Sequence, residues 1–245
     1  MAKVRLDNLL VERALVESRS KAQSLILAGK VYSNEVKLDK PGHMVAADVA
    51  LTVREAEHPF VSRGGMKLAH GLEHFSLNPA QKVCLDIGAS TGGFTDVLLR
   101  GGAAKVYAVD VGHGQLDWRL RKDPRVVVLE KTNARLLDSS LIPEAPELIV
   151  CDASFISLKT VLPASLVLAT PNAALIALIK PQFEVGKGRV GKGGVVRESA
   201  LHKEVCDDIA LWLGGLGAWH VLGITESPIK GPKGNTEFLI AAHKA

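Results

Sequence analysis

Cysteine is scarce in this 245-residue chain, which holds three. Three scattered thiols cannot build a disulfide framework, and Cys84 and Cys151 fall inside apolar runs, where they read as buried free thiols. Long apolar runs are missing as well, and none could cross a bilayer as a helix. The stretch Met1 to Leu10 carries Lys3, Arg5 and Asp7 and lacks the apolar core and small-residue cleavage site of a secretory signal. These absences lead to the expectation of a soluble, cytoplasmic protein. No large excess of one charge sign is present either: a formal net charge of +4 is compatible with a polyanionic partner but does not demand one.

What the chain does have is length for more than one domain and an apolar content of 47% to fill their cores. Its composition changes character at Arg54 to Gly65, where REAEHPFVSRGG brings a proline and adjacent glycines. That shift predicts a boundary dividing residues 1–60 from 61–245. In the front part, Leu6, Leu9 and Leu10 share a helical face, Ser20 with Gln23 fits a capping box, and Leu25 to Leu27 run to Gly29 as a helix stop. Strand-like pieces follow at Val31 to Leu38 and Val49 to Val53.

The back part contains five apolar runs that each stop on a charge: Val83 to Asp86, Val106 to Asp110, Val126 to Glu130, Leu148 to Asp152 and Ala174 to Lys180. Helical stretches at Gly93 to Arg100, Leu116 to Arg121, Leu158 to Leu168 and Glu198 to Leu213 alternate with them, which predicts an α/β fold with a parallel sheet. The charges would then crowd the carboxyl edge, where such sheets bind ligands. Trp219 to Ile224 and Glu237 to Ala242 have no crossover helix between them, so antiparallel pairing is expected there and the sheet is mixed.

Between the first of these strands and its helix lies Asp86-Ile-Gly88-Ala89-Ser90-Thr91-Gly92-Gly93-Phe94. Glycines at such a turn admit a close ligand, and Asp110 ends the next strand where a carboxylate can accept from a ribose diol. A nucleoside-containing cofactor follows. A dinucleotide loop needs glycine where Ala89 stands in its second glycine position, and the acid Asp86 suits the amino-acid end or sulfonium of S-adenosyl-L-methionine better than a pyrophosphate. A second glycine-rich stretch, Gly186 to Gly193, fails as a Walker A loop because Gly193 follows Lys192 where a hydroxyl should hold magnesium. It reads as a solvent loop or as a flexible basic loop that closes on nucleic-acid phosphates.

Lys67, Asp152, Lys180 and Glu237 each have a bland reading as a solvated helix residue, a cap or a strand-end charge. A buried lysine beside a second cation is also the kind of group that steers or takes the proton of a weakly acidic hydroxyl, with carboxylates holding it in place. Arg19 and Lys21 flank a helix start, where cations disfavour the helix but suit a bound phosphate. The Asn/Asp-Pro-Pro-aromatic motif of amino-methylating enzymes is absent, its place being taken by Asp152-Ala-Ser-Phe155. Alternation turns Cys151 away from Asp152 and so from base-carbon chemistry.

The loop from Asp86 to Phe94 is similar to the first motif of the class I methyltransferases, and Lys67, Asp152, Lys180 and Glu237 match in order the Lys-Asp-Lys-Glu tetrad of RNA ribose methyltransferases. Arg5 to Leu10, Ser18 to Gln23, Ala28 to Tyr32 and Lys40 to Gly42 resemble an S4 RNA-binding domain, departing at Asn34-Glu35, where that domain has an Asn-Gly turn. With Ser62 to Leu68 and Asp152 to Ser157 added, the chain resembles the TlyA family, the haemolysin-like ribosomal RNA 2′-O-methyltransferases. The resemblance implies a small S4 domain followed by a class I methyltransferase with a seven-stranded mixed sheet. It implies S-adenosyl-L-methionine held by Asp86, Gly88, Ala89, Ser90, Thr91, Gly92, Gly93, Phe94, Asp110, Val111, Glu130, Asn133 and Asp152. Lys180 would be the base or hydroxyl-steering group, with RNA contacts from Arg5, Arg19, Ser20, Lys21, Lys30 and Arg63. It also implies methylation of a cytidine ribose in ribosomal subunits, with no metal, membrane or obligate protein partner. A noncatalytic ribosome-binding factor and a membrane-lytic protein are the rival expectations.

Overall fold

In a computed structural model of the chain, residues 3–27, 29–53, 58–186 and 188–245 are described. Of the compositional shift at Arg54 to Gly65, residues 54–57 lie outside them. Two compact units are present, Met1–Pro59 and Phe60–Ala245.

The first unit contains β1 (Lys3–Arg5), α1 (Leu6–Glu12), α2 (Arg19–Leu27), β2 (Val31–Ser33), β3 (Val36–Lys37), β4 (Met44–Ala46) and β5 (Thr52–Val53). Leu6, Leu9 and Leu10 of α1 pack with Ala22 and Ile26 of α2 around Val31. The run expected as one strand from Val31 to Leu38 is instead a hairpin, with Ser33 paired to Val36 across Asn34-Glu35. Asn34 takes φ 51°, a backbone that asparagine tolerates better than most residues, so it supplies the turn without glycine. Of Val49 to Val53 only β5 is strand, paired to β2. The expected capping box is also displaced: Ser18 Oγ accepts from Lys21 N at 3.2 Å, while Gln23 turns to Asp7.

The second unit is built on a seven-stranded mixed sheet, as expected. Its elements are α3 (Gly64–His74), β6 (Val83–Ile87), α4 (Gly93–Arg100), β7 (Lys105–Val109), α5 (Trp118–Arg121), β8 (Val126–Leu129), β9 (Leu148–Cys151), α6 (Leu158–Val161), α7 (Pro163–Leu168), β10 (Ala174–Ile179), α8 (Pro181–Glu184), α9 (Ser199–Gly214), β11 (Trp219–Glu226) and β12 (Phe238–Lys244). The strand order is β11-β12-β10-β9-β6-β7-β8, with β12 antiparallel to both its neighbours. Apolar layers cover both faces, which is why β9 and β10 read as unbroken apolar runs without alternation.

Several boundaries differ from the sequence reading. Pro163 starts a new helix and divides Leu158 to Leu168 in two, because its ring cannot join a hydrogen-bonded turn. Asp117 caps α5 through Arg119 N at 2.9 Å, so that helix begins at Trp118 rather than Leu116. Asp86 does not end its strand: it is inside β6, paired to Ala108 on one side and Val150 on the other. The other four strands do end immediately before Asp110, Glu130, Asp152 and Lys180.

Candidate functional site

The strand order reverses between β6 and β9, which opens a crevice between the loops that follow them. Gly88 makes the crevice narrow at its base. Its φ is +83°, and a Cβ there would lie 3.0 Å from the Asp152 carbonyl oxygen and 3.1 Å from Ala153 N. Beside it is a cavity of about 590 Å³ whose lining includes Ser90, Asp110, Val111, Asn133 and Asp152. Asp110 is fixed by Ser90 N at 2.8 Å and Gly112 N at 2.6 Å, and Val111 offers an exposed apolar side chain. Asn133 caps the following turn through Arg135 N at 3.1 Å. The volume, the fixed carboxylate and the apolar wall fit a nucleoside.

Two of the acids named for cofactor binding stand outside this lining. Asp86 is fully buried; one oxygen accepts from Thr95 Oγ1 at 2.6 Å and the other has no hydrogen bond. Burial pushes its carboxyl up to about 7, the Thr95 bond opposes this, and Asp152 and Asp110 add to the rise. Thr95 belongs to α4, so Asp86 ties the two ends of the glycine loop together from behind. Glu130 accepts from Gly114 N at 2.8 Å, from His113 Nδ1 at 3.0 Å and from Arg121 Nη2 at 2.5 Å, and so holds the loop at 112–114. The Arg121 guanidinium keeps its carboxyl below the usual range.

A second cavity of about 220 Å³ shares Gly88, Ser90, Asp152 and Ser154 with the first. Ala89, Thr91, Gly93 and Phe94 line it too, together with Arg63, Lys67 and Lys180, whereas Gly92 (φ +96°) forms the turn into α4. Four elements bring the tetrad together: Lys67 is on α3, Asp152 follows β9, Lys180 follows β10, and Glu237 precedes β12. Pairing of Ile179 with Phe238 sets Lys180 and Glu237 at the same end of adjacent strands. Lys67 Nζ lies 2.6 Å from Glu237 Oε2 and 3.7 Å from Asp152 Oδ2, and Lys180 Nζ lies 2.5 Å from Asp152 Oδ1. The last contact is an ion pair whose angle does not make a hydrogen bond; Lys180 donates instead to Ser154 Oγ at 2.9 Å and to the Asp152 carbonyl at 3.3 Å. Lys67, Lys180 and Glu237 are buried and Asp152 is partly open, giving two cations balanced by two anions beside a cavity.

Sequence reasoning missed Ser154, although it lies two residues from Asp152, and it missed Gln115 and Thr132 in the lining of the first cavity. Phe155 was noted only as part of a motif; it is 89% exposed at φ 65°, against Phe183 at 5.0 Å. Cys151 is buried in the core, and burial pushes its thiol up to about 12, so it is not a nucleophile for base chemistry. Among the described residues no cluster suited to a metal ion occurs, and no helix is long and apolar enough to cross a membrane.

The cations named for RNA contact have a different arrangement within the first unit. Asp7 is fully buried and accepts from Arg5 Nε at 3.0 Å and Nη2 at 2.9 Å, from Arg19 Nε at 3.0 Å and from Gln23 Nε2 at 3.0 Å. Arg5 beside it holds the Asp7 carboxyl well below the usual range. Both guanidiniums stay about half exposed, while Ser20 and Lys21 are exposed on the first turn of α2 and Lys30 is half-buried. Arg63, in the second unit, stands just before α3 without a side-chain capping bond and lines the smaller cavity.

Residues 60–244 match the FtsJ-like methyltransferase family, and residues 4–51 match the S4 domain. The chain is 50% identical over 239 residues to the 16S/23S rRNA (cytidine-2′-O)-methyltransferase TlyA of Mycobacterium tuberculosis, covering 97% of this chain and 89% of that protein. It is 43% identical over 237 residues to Hemolysin A of Brachyspira hyodysenteriae, covering 96% and 98%. The solved structure of a hemolysin candidate from Streptococcus thermophilus superposes with a TM-score of 0.76 at 40% identity, covering all of this chain and 90% of the other.

Proposed function

Because the chain belongs to the FtsJ-like methyltransferase family and carries an S4 domain, we propose that it methylates a ribose 2′-hydroxyl of ribosomal RNA in the cytoplasm, using S-adenosyl-L-methionine. Residues 1–60 dock RNA and residues 61–245 carry the chemistry. The kinship with a cytidine-2′-O-methyltransferase makes cytidine the proposed target. The observation that carries this reading is Lys180: its ammonium is held by Asp152 and Ser154 in a small cavity that opens onto the nucleoside-sized one.

The cofactor supplies a methyl group on a sulfonium. Asp110 would hold the ribose diol of its nucleoside, Val111 and Asn133 would line the cavity for its base, and the turn at Gly88 would let backbone approach it. Lys180 orients the acceptor hydroxyl through the ammonium that Asp152 and Ser154 fix, and as the oxygen takes the methyl from the sulfonium its proton leaves to solvent. Lys67 and Glu237 complete the neutral network and keep Asp152 aimed at Lys180. Orientation of oxygen against methyl supplies the largest share of the acceleration.

Incubation with methyl-labelled S-adenosyl-L-methionine and purified unmodified ribosomal subunits, followed by nucleoside mass spectrometry, tests the reading. Label in a 2′-O-methylnucleoside is expected. Label on a base overturns it, and no label on either subunit moves the protein to a noncatalytic ribosome-binding role.

A further inference from the structure

The tetrad leaves one question open: what fixes Glu237, the member contributed by a loop ahead of the final strand. Its Oε2 meets Lys67, and its Oε1 is buried without a hydrogen bond beside Gly231. Two residues earlier, Asn235 is 2% exposed and uses both ends of its amide. Nδ2 donates to the Gly194 carbonyl at 3.0 Å and Oδ1 accepts from Val196 N at 3.1 Å. The partners fix the amide's orientation, since a carbonyl can only accept and a backbone N–H can only donate. Its own carbonyl accepts from Gly231 N at 2.8 Å, and the Glu237 carbonyl accepts from Ser227 N at 2.9 Å.

Asn235 therefore staples the segment that delivers Glu237 to the return leg of the glycine-rich stretch that has no place in nucleotide hydrolysis. That leg closes as a small hairpin, Gly191 N donating to Val195 O at 3.1 Å, and Gly188, Gly193 and Gly194 all have positive φ. The stretch carries exposed Lys192 and Arg189, the latter paired through both Nη atoms to Glu204 of α9, and Lys233 from the Glu237 segment has its ammonium 3.6 Å from where a Cβ on Gly194 would lie. Each of the two segments thus carries an exposed cation, Lys192 on one and Lys233 on the other, and a buried amide locks the segments together.

We propose that Asn235 is a positioning residue that makes this basic loop and the Glu237 carboxylate one mechanical unit, so that seating RNA phosphates on the loop holds Glu237, and through it Lys67, in register with Asp152 and Lys180. The inference rests on the methyl-transfer reading, which wild-type turnover checks separately.

Asn235→Ala removes the staple, and Gly194→Ala strains the same leg, where φ is +80° and an added Cβ would meet Lys233 Nζ at 3.6 Å. With labelled S-adenosyl-L-methionine and unmodified ribosomal subunits, both variants should lose turnover by on the order of a hundredfold, the scale produced by displacing a catalytic group by about 1 Å. Cofactor affinity should stay at the wild-type level. In a Glu237→Gln background, Asn235→Ala should cost nothing further, whereas a residue that only stabilises the fold would cost the same in both backgrounds. Amide hydrogen exchange supplies a readout independent of activity: Val196 and Ser227 should exchange faster in either variant. Unchanged exchange at Ser227, unchanged turnover, or additive losses overturn the proposal. If Asn235→Ala does not fold, Gly194→Ala decides by the same criteria. Absence of transfer by the wild-type protein sinks the methyl-transfer reading instead, and the exchange result still decides whether Asn235 anchors the Glu237 segment.

Discussion

Lys67 and Glu237 stand 170 residues apart in the chain and meet as a buried ion pair, Nζ to Oε2, at 2.6 Å. The pair joins the first helix of the catalytic unit to its final strand, so it bears on stability as well as on chemistry. Truncating Lys67 leaves Glu237 as an uncompensated buried charge, which costs about 3–5 kcal/mol, whereas truncating Glu237 leaves Lys67 with Asp152 at 3.7 Å and costs less. Lys67→Met and Glu237→Leu should each lower the thermal midpoint, and the double substitution should recover much of the loss. Methyl transfer should stay absent in all three. A double variant as unstable as the sum of the singles would show that the pair does not act as a unit.

Lys180→Ala should abolish methyl transfer while leaving cofactor affinity largely intact, because Lys180 lines only the smaller cavity. Equilibrium binding of labelled cofactor together with single-turnover transfer separates the two effects. Unchanged turnover would remove Lys180 from the mechanism.

Asp86 gives a pH signature. In the unfolded chain it ionises near 3.8, whereas the folded chain holds it at about 7 because of burial. Between those values the folded chain retains a proton that the unfolded chain has lost, so stability falls as pH rises. Asp86→Asn keeps the acceptor for Thr95 and removes the ionisation. Its thermal midpoint should gain on the wild type from about pH 4 to pH 7 and then level off. A difference that is flat across this range would mean that Asp86 is ionised in the folded state.

Arg19→Ala with Lys21→Ala should weaken RNA binding and flatten its dependence on salt. Each lost phosphate contact removes roughly 0.7–0.9 from the slope of log affinity against log salt. Binding isotherms on ribosomal RNA at four salt concentrations measure this, and an unchanged slope would take the first unit's cations out of the contact.

Much of this architecture was legible before any coordinates. Apolar runs ending at Asp110, Asp152 and Lys180 placed three strands and their ligand-facing edge, because strands buried on both faces leave an unbroken apolar signature. Asp86 misled, since a carboxyl inside a central strand looks the same in sequence as one at its end; only pairing on both sides reveals its burial. Ser154 and Asn235 were invisible for a different reason. Both act through hydrogen bonds to segments at least 26 residues away, and no local period or motif records such contacts. Ser18 was passed over for Ser20 because a capping box is recognised by spacing, and Gln23, the residue that completed the spacing, is engaged by Asp7 instead.

Placing β12 between β10 and β11 also sets a timetable. During synthesis the parallel strands, the glycine loop and three tetrad residues are all made before Glu237, so the crevice can take shape while Lys67 still lacks its principal counter-charge. Insertion of the final strand then supplies that charge and pins the loop next to it in the same motion. On the proposed mechanism, a nascent chain halted before residue 237 would hold three of the four charges of its centre and lack the carboxylate nearest Lys67.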